Sequence, residues 1–104
     1  VKSGERFEIK FRVGKEIAHP NTTEHHIRWI QIFFQPEGGE NIYQLANYEF
    51  SAHGESVQGP NQGPAYVEPV ALTTAIIRKS GTIYALSFCN IHGLWESKKE
   101  IKIG

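Results

Sequence analysis

The sequence of 104 residues has no methionine, not even at position 1, and one cysteine, Cys89. A lone thiol cannot close an internal disulfide, which fits a reducing, cytoplasmic setting. The missing methionine leads us to expect a processed chain or part of a longer product. Charge of one sign is also missing: 11 basic and 11 acidic residues cancel. That balance excludes the broad cationic face that nucleic acid or anionic lipid would need. No apolar run approaches the roughly 20 residues that span a bilayer, and no signal-peptide pattern opens the chain. Nicotinamide and flavin fingerprints are absent. A chain of this size is expected to form one domain, residues 1–104.

Helical periodicity is scarce as well; what is present reads as strands. Phe7, Ile9, Phe11 and Val13 alternate with Glu8, Lys10 and Arg12, the period of a half-buried strand. Ile27 to Phe34 is apolar on both faces and reads as a central strand, closed by Pro36-Glu37-Gly38-Gly39. Ile42 to Ala52 and Tyr66 to Arg78 are rich enough in β-branched and aromatic residues for strands, with Pro69 bending the second. Gly54 to Pro64 carries the glycines and prolines of a loop. Ser80-Gly81 suggests a hairpin turn into Thr82 to Cys89, and Glu100 to Ile103 a short edge strand. Six or seven short strands between turn signals predict an all-β, antiparallel sandwich.

The chemistry-bearing residues lie in two distant segments. Cys89 stands three residues before His92, and His19 six before His25, with His26 next to it. One soft thiolate with several imidazoles suits a transition metal such as iron, copper or zinc, and suits magnesium or calcium poorly. Spacing constrains the site. On a strand His19 and His25 would stand about 20 Å apart. On a helix, six residues turn about 600° and point the rings apart. They meet only if the chain between them curls, and Pro20-Asn21-Thr22-Thr23 has the composition for that. His26 and His53 read as supporting or surface residues rather than ligands. The Asn21-Thr22-Thr23 sequon carries little weight without a secretory signal.

The strings Gly14-Lys15-Glu16-Ile17-Ala18-His19-Pro20-Asn21-Thr22-Thr23-Glu24-His25-His26-Ile27 and Cys89-Asn90-Ile91-His92-Gly93-Leu94-Trp95-Glu96 resemble those of the one-iron superoxide reductases of neelaredoxin type. His53 to Asn61 resembles a third stretch of that family, and the likeness runs along essentially the whole chain. It implies an immunoglobulin-like sandwich of about seven strands and a mononuclear non-haem iron cycling between Fe2+ and Fe3+. His19, His25 and His92 would be equatorial ligands and Cys89 the axial one, with one iron position open. Superoxide would be the substrate and hydrogen peroxide the product, with an external donor such as rubredoxin returning the electron. A homo-oligomer, dimer or tetramer, is also implied. Family members carry a Glu-Lys-His segment upstream of the first strand, which supplies a fourth imidazole. This chain begins after that place, so an N-terminal piece is expected to be missing. Lys15 could in principle reach the site.

Two other classes share parts of the pattern. A blue-copper carrier also uses a β-sandwich with an early His and a late Cys-x-x-His, but its weak axial Met is impossible here. A closed zinc site would need only three imidazoles and one thiolate. An intense red thiolate-to-copper band marks the first, and a colourless, redox-silent protein the second.

Overall fold

The computed structural model describes residues 2–14 and 19–104. Its strands are β1 (Arg6–Arg12), β2 (Ile27–Pro36), β3 (Tyr43–Glu49), β4 (Val70–Ile76), β5 (Gly81–Cys89) and β6 (Gly93–Ile101). β1 pairs with β4 in one sheet, and the other has the order β3-β2-β5-β6. Every pairing is antiparallel. The all-β, two-sheet architecture expected from the alternating patterns is therefore present, with no helix among the described residues.

Alternation places the core. In β1, Phe7, Ile9 and Phe11 turn inward while Arg6, Glu8, Lys10 and Arg12 face water. They pack on a cluster of Ile27, Ile30, Ile32, Phe34, Ala71, Ile77, Ile83 and Cys89 drawn from both sheets. Fully burying an isoleucine such as Ile30 or Ile32 contributes about 1.5–3 kcal/mol. β2 is central, as its apolar faces require. Its outer residues are half-buried, and there Trp29 stacks on Phe88 with ring centroids 5.8 Å apart.

Several expectations need correction. Six strands, not seven, form among the described residues. Glu100 to Ile103 is no separate strand, because Gly93 to Lys99 already pairs with β5 in one continuous ladder that ends at Ile101. That strand reads poorly in sequence because it is an edge, exposed along most of its length and rich in lysine and glutamate. β4 starts only at Val70, since Pro69 has no amide to give to a ladder. Ser80-Gly81 is not a hairpin either, because β4 and β5 lie in different sheets.

One irregularity matters for the site. The β2–β5 ladder runs regularly from Pro36↔Gly81 to Trp29↔Phe88 and then shifts, ending at Ile27↔Cys89 with Arg28 as the extra residue. A bulge re-aims the side chains beyond it. Ile27 and Ile30 are thereby both buried despite being three apart, and Ile27 lies beside the inward-facing Cys89.

Candidate metal centre

The segment from His19 to His25 does curl. Thr22 closes it: its amide and hydroxyl both donate to His25 O, at 2.9 and 3.0 Å, and its hydroxyl accepts from His25 N at 3.1 Å. Asn21 anchors the curl from within, its Nδ2 donating to Ala52 O at 3.0 Å and Val67 O at 2.7 Å. Burial and these bonds leave the sequon asparagine no role as a glycan acceptor. The result sets the His19 and His25 rings 4.5 Å apart, edge to face.

The second segment is a tight connection. Residues 90–92 turn between β5 and β6, and Gly93 takes φ +81° as the chain re-enters the ladder opposite Cys89. Cys89 is buried, and its Sγ lies 3.7 Å from His92 Nδ1. The His92 ring stands 5.2 Å from that of His25, on the solvent side.

Donor atoms of His19, His25 and Cys89 all lie within 4.8 Å of one another. His92 falls outside that tight triad but borders it through both Cys89 and His25. The set passes a test of fit for a transition metal. His25 Nε2 is buried with no hydrogen-bond partner, a state that costs about 1–3 kcal/mol unless something binds it. His19 Nδ1 lies 2.7 Å from Pro20 O, and since a carbonyl only accepts, that nitrogen carries the proton and Nε2 keeps a free lone pair. Burial lowers the pKa of His25, and the neighbouring His19 and His92 imidazoles lower it further, favouring the neutral form a metal requires. A cavity of about 170 Å³ abuts the cluster, lined by Val13, His19, Ile27, Ser87, Cys89, His92 and Trp95.

The remaining candidates fall elsewhere. Lys15 lies outside the described residues. His26 is turned away from the cluster: its Nδ1 donates to Thr22 O at 3.0 Å, and its ring stacks on His53 at 3.6 Å. His53 Nδ1 is 3.8 Å from Glu55 Oε2, and the His53 amide donates to Glu55 Oε1, which holds that carboxyl below its ordinary range. Sequence reasoning missed the asparagines that support the loop. Asn61, at φ +64°, accepts from Thr23 N at 3.0 Å and donates to the Glu24 carboxylate. With the Thr23 hydroxyl, it lowers the pKa of Glu24. Asparagine's tolerance of left-handed backbone was the available signal in the loop.

Comparison with known proteins points to one family. The family model of desulfoferrodoxin matches residues 1–98. A superoxide reductase of Pyrococcus furiosus is 56% identical over 97 residues, covering 93% of this chain and 78% of its own. Neelaredoxin of Megalodesulfovibrio gigas is 52% identical over 97 residues, covering 93% and 75%. Among solved structures, the superoxide reductase (neelaredoxin) of Archaeoglobus fulgidus in the reduced form superposes with a TM-score of 0.87 at 51% identity, covering 96% of this chain and 81% of that one.

Proposed function

This chain belongs to the desulfoferrodoxin family, and from that premise we propose that it is a superoxide reductase, acting at one iron held by His19, His25, Cys89 and His92. The observation that carries the reading is the convergence of His19, His25 and Cys89 donors from segments far apart in sequence to within 4.8 Å of one another. Iron bound there would supply one-electron cycling between Fe2+ and Fe3+. In the overall reaction superoxide takes up one electron and two protons and leaves as hydrogen peroxide.

The residues divide the remaining work. The His19 Nδ1 contact with Pro20 O fixes the tautomer and the ring plane. With neutral imidazoles and one thiolate as its donors, a ferrous ion would keep a net positive charge, enough to attract an anion without any basic surface. Cys89, buried and unpaired, would be the one anionic donor to the metal, and as a thiolate it would donate electron density to it. His92 sits at the surface, so water reaches the site to supply protons.

An external one-electron donor such as rubredoxin would complete the cycle; the one cysteine of residues 1–104 cannot build a second, four-thiolate iron centre. Residues 1–104 act as one domain, supported by the single core that both sheets share. A cytoplasmic location is supported by the unpaired Cys89. No helix among the described residues is long and apolar enough to cross a membrane. A homodimer or homotetramer is supported by exposed apolar residues on both edge strands of the larger sheet, Tyr43 on β3 and Leu94 and Trp95 on β6.

The test joins metal analysis to spectroscopy and turnover. Protein purified with iron is expected to show a sulfur-to-iron charge-transfer band when oxidised and to consume superoxide. Cys89→Ser should lose the band and most of the activity. A band that survives this change would refute Cys89 as a ligand, and a colourless zinc protein inert toward superoxide would refute the reading as a whole.

A further inference from the structure

His25 and Cys89 come from distant segments, and the ladder that joins those segments stops before it reaches the histidine. β2 and β5 pair last at Ile27↔Cys89. Past that rung one chain turns through residues 90–92 and the other runs back toward His25. A metal site needs its donors held to within about 0.5 Å, so a contact beyond the last rung has to fix one segment against the other.

We propose that Asn90 is this contact, a positioning residue that extends the β2–β5 ladder past Cys89 and sets His25 against Cys89 and His92. Three hydrogen bonds carry the argument. The Asn90 amide donates to His26 O at 3.0 Å. Its side-chain Oδ1 accepts from His26 N at 2.8 Å. Its Nδ2 donates to Glu24 O at 3.0 Å. Glu24 and His26 are the chain neighbours of His25, so the carboxamide grips the backbone on both sides of the proposed ligand. Asn90 is itself bonded to Cys89 and lies two residues before His92.

The side chain works because a carboxamide is a peptide group in miniature, planar, with a donor and an acceptor. Aspartate has the same reach but two acceptors when ionised, and would set a carboxylate oxygen against the Glu24 carbonyl. Alanine offers neither partner and would leave the part-buried His26 amide unsatisfied. Asn90 touches no reacting atom; it acts only through the ligands, and this inference rests on the ligand set proposed above.

The experiment compares the iron-loaded protein with Asn90→Ala, Asn90→Asp and the control Ser80→Ala. Ser80 Oγ accepts from Ile103 N at 2.8 Å at the opposite end of the sandwich, so the control also loses a hydrogen bond. Three readouts are taken: iron affinity by chelator competition, the energy of the charge-transfer band, and the reduction potential. Asn90→Ala is expected to weaken iron binding about 10–100-fold and to shift the band and the potential. Asn90→Asp keeps the acceptor for His26 N but sets a carboxylate oxygen against Glu24 O, so it too should weaken iron binding and shift the band; it also serves if the alanine variant does not fold. Ser80→Ala should leave all three readouts unchanged. Asn90 variants within about twofold of the parent affinity with an unshifted band, or equal changes in Ser80→Ala, overturn the proposal. A parent without the band overturns the ligand set and this inference together, whereas a parent with the band and indistinguishable Asn90 variants overturns the role of Asn90 alone.

Discussion

Gly54→Ala is expected to damage the loop between His19 and His25 from a distance, through one side chain. Gly54 has φ +89°, a backbone region that L-residues rarely enter. Placing alanine there costs about 1–2 kcal/mol in left-handed backbone alone. The added Cβ would also overlap Asn61 Oδ1. That oxygen cannot swing away freely, because it accepts from Thr23 N at 3.0 Å and the Asn61 amide is bonded to Gly54 O at 2.7 Å. Moving it gives up the part-buried Thr23 bond, a further 0.5–1.5 kcal/mol or about that. The sum is roughly 1.5–3.5 kcal/mol, or a fall in Tm of about 6–28 °C for a domain of this size. Thermal unfolding of the metal-free protein measures it, since bound metal would add its own stabilisation. A double-mutant cycle isolates the overlap. Asn61→Gly removes the obstructing side chain and keeps a residue that accepts φ +64°. In that background Gly54→Ala should cost only the backbone share, leaving a coupling of about 0.5–1.5 kcal/mol. A Gly54→Ala protein melting within about 2 °C of the parent, or strictly additive with Asn61→Gly, would refute the reasoning.

Two further outcomes follow from burial and charge. His25 has its pKa lowered below the ordinary 6.5, so the unfolded chain binds more protons than the folded one between those two values. Its contribution to metal-free stability is therefore complete above about pH 6.5 and is lost as pH falls through 6.5 to the lowered folded value, then changes no further. Tm measured against pH should show this decline, and His25→Gln should flatten it; an unchanged slope in that variant would count against the assignment. Ile30→Ala removes a side chain that is 0% exposed and should cost about 2–5 kcal/mol by urea denaturation. Ile42→Ala, at a position 56% exposed, should stay within about 0.5 kcal/mol of the parent, and comparable losses at both positions would contradict the core described above.

The fold was legible wherever one face of a strand is buried. β1 alternates in sequence as it does in burial, and β2 announced its central place by being apolar on both sides. β6 was not legible, because most of Gly93 to Lys99 lies exposed with only one neighbouring strand, so no alternation is imposed on it. The bulge at Arg28 was hidden for a related reason. Its only trace is the spacing of three between buried Ile27 and Ile30, which breaks the period of two and reads as noise without the partner strand. Residue chemistry made the donors stand out, since one cysteine and a pair of histidines six apart are rare enough to be noticed. Asn61 and Asn90 are ordinary loop residues until it is known which segments lie beside them.

The core and the candidate metal centre are specified by the same ladder. Cys89 faces inward only because Ile83, Ala85 and Ser87 do so before it along β5, and those residues are held by their rungs with β2, such as Ala85 with Ile32. Side-chain direction in a strand has a period of two, so a slip of one residue between β2 and β5 would turn Cys89 outward and bring half-buried Phe88 to the inner face. Burying the aromatic ring of Phe88 where a thiol now fits would overpack the strand end, at a cost of about 1–3 kcal/mol. Exposing Ile83 at the same time would forfeit roughly another 1.5–3 kcal/mol. The register that places the Cys89 sulfur beside His19 and His25 is thus enforced by apolar packing along the length of β5, most of it far from the donors, and the polar contacts of Thr22, Asn61 and Asn90 have only the last few ångströms to settle.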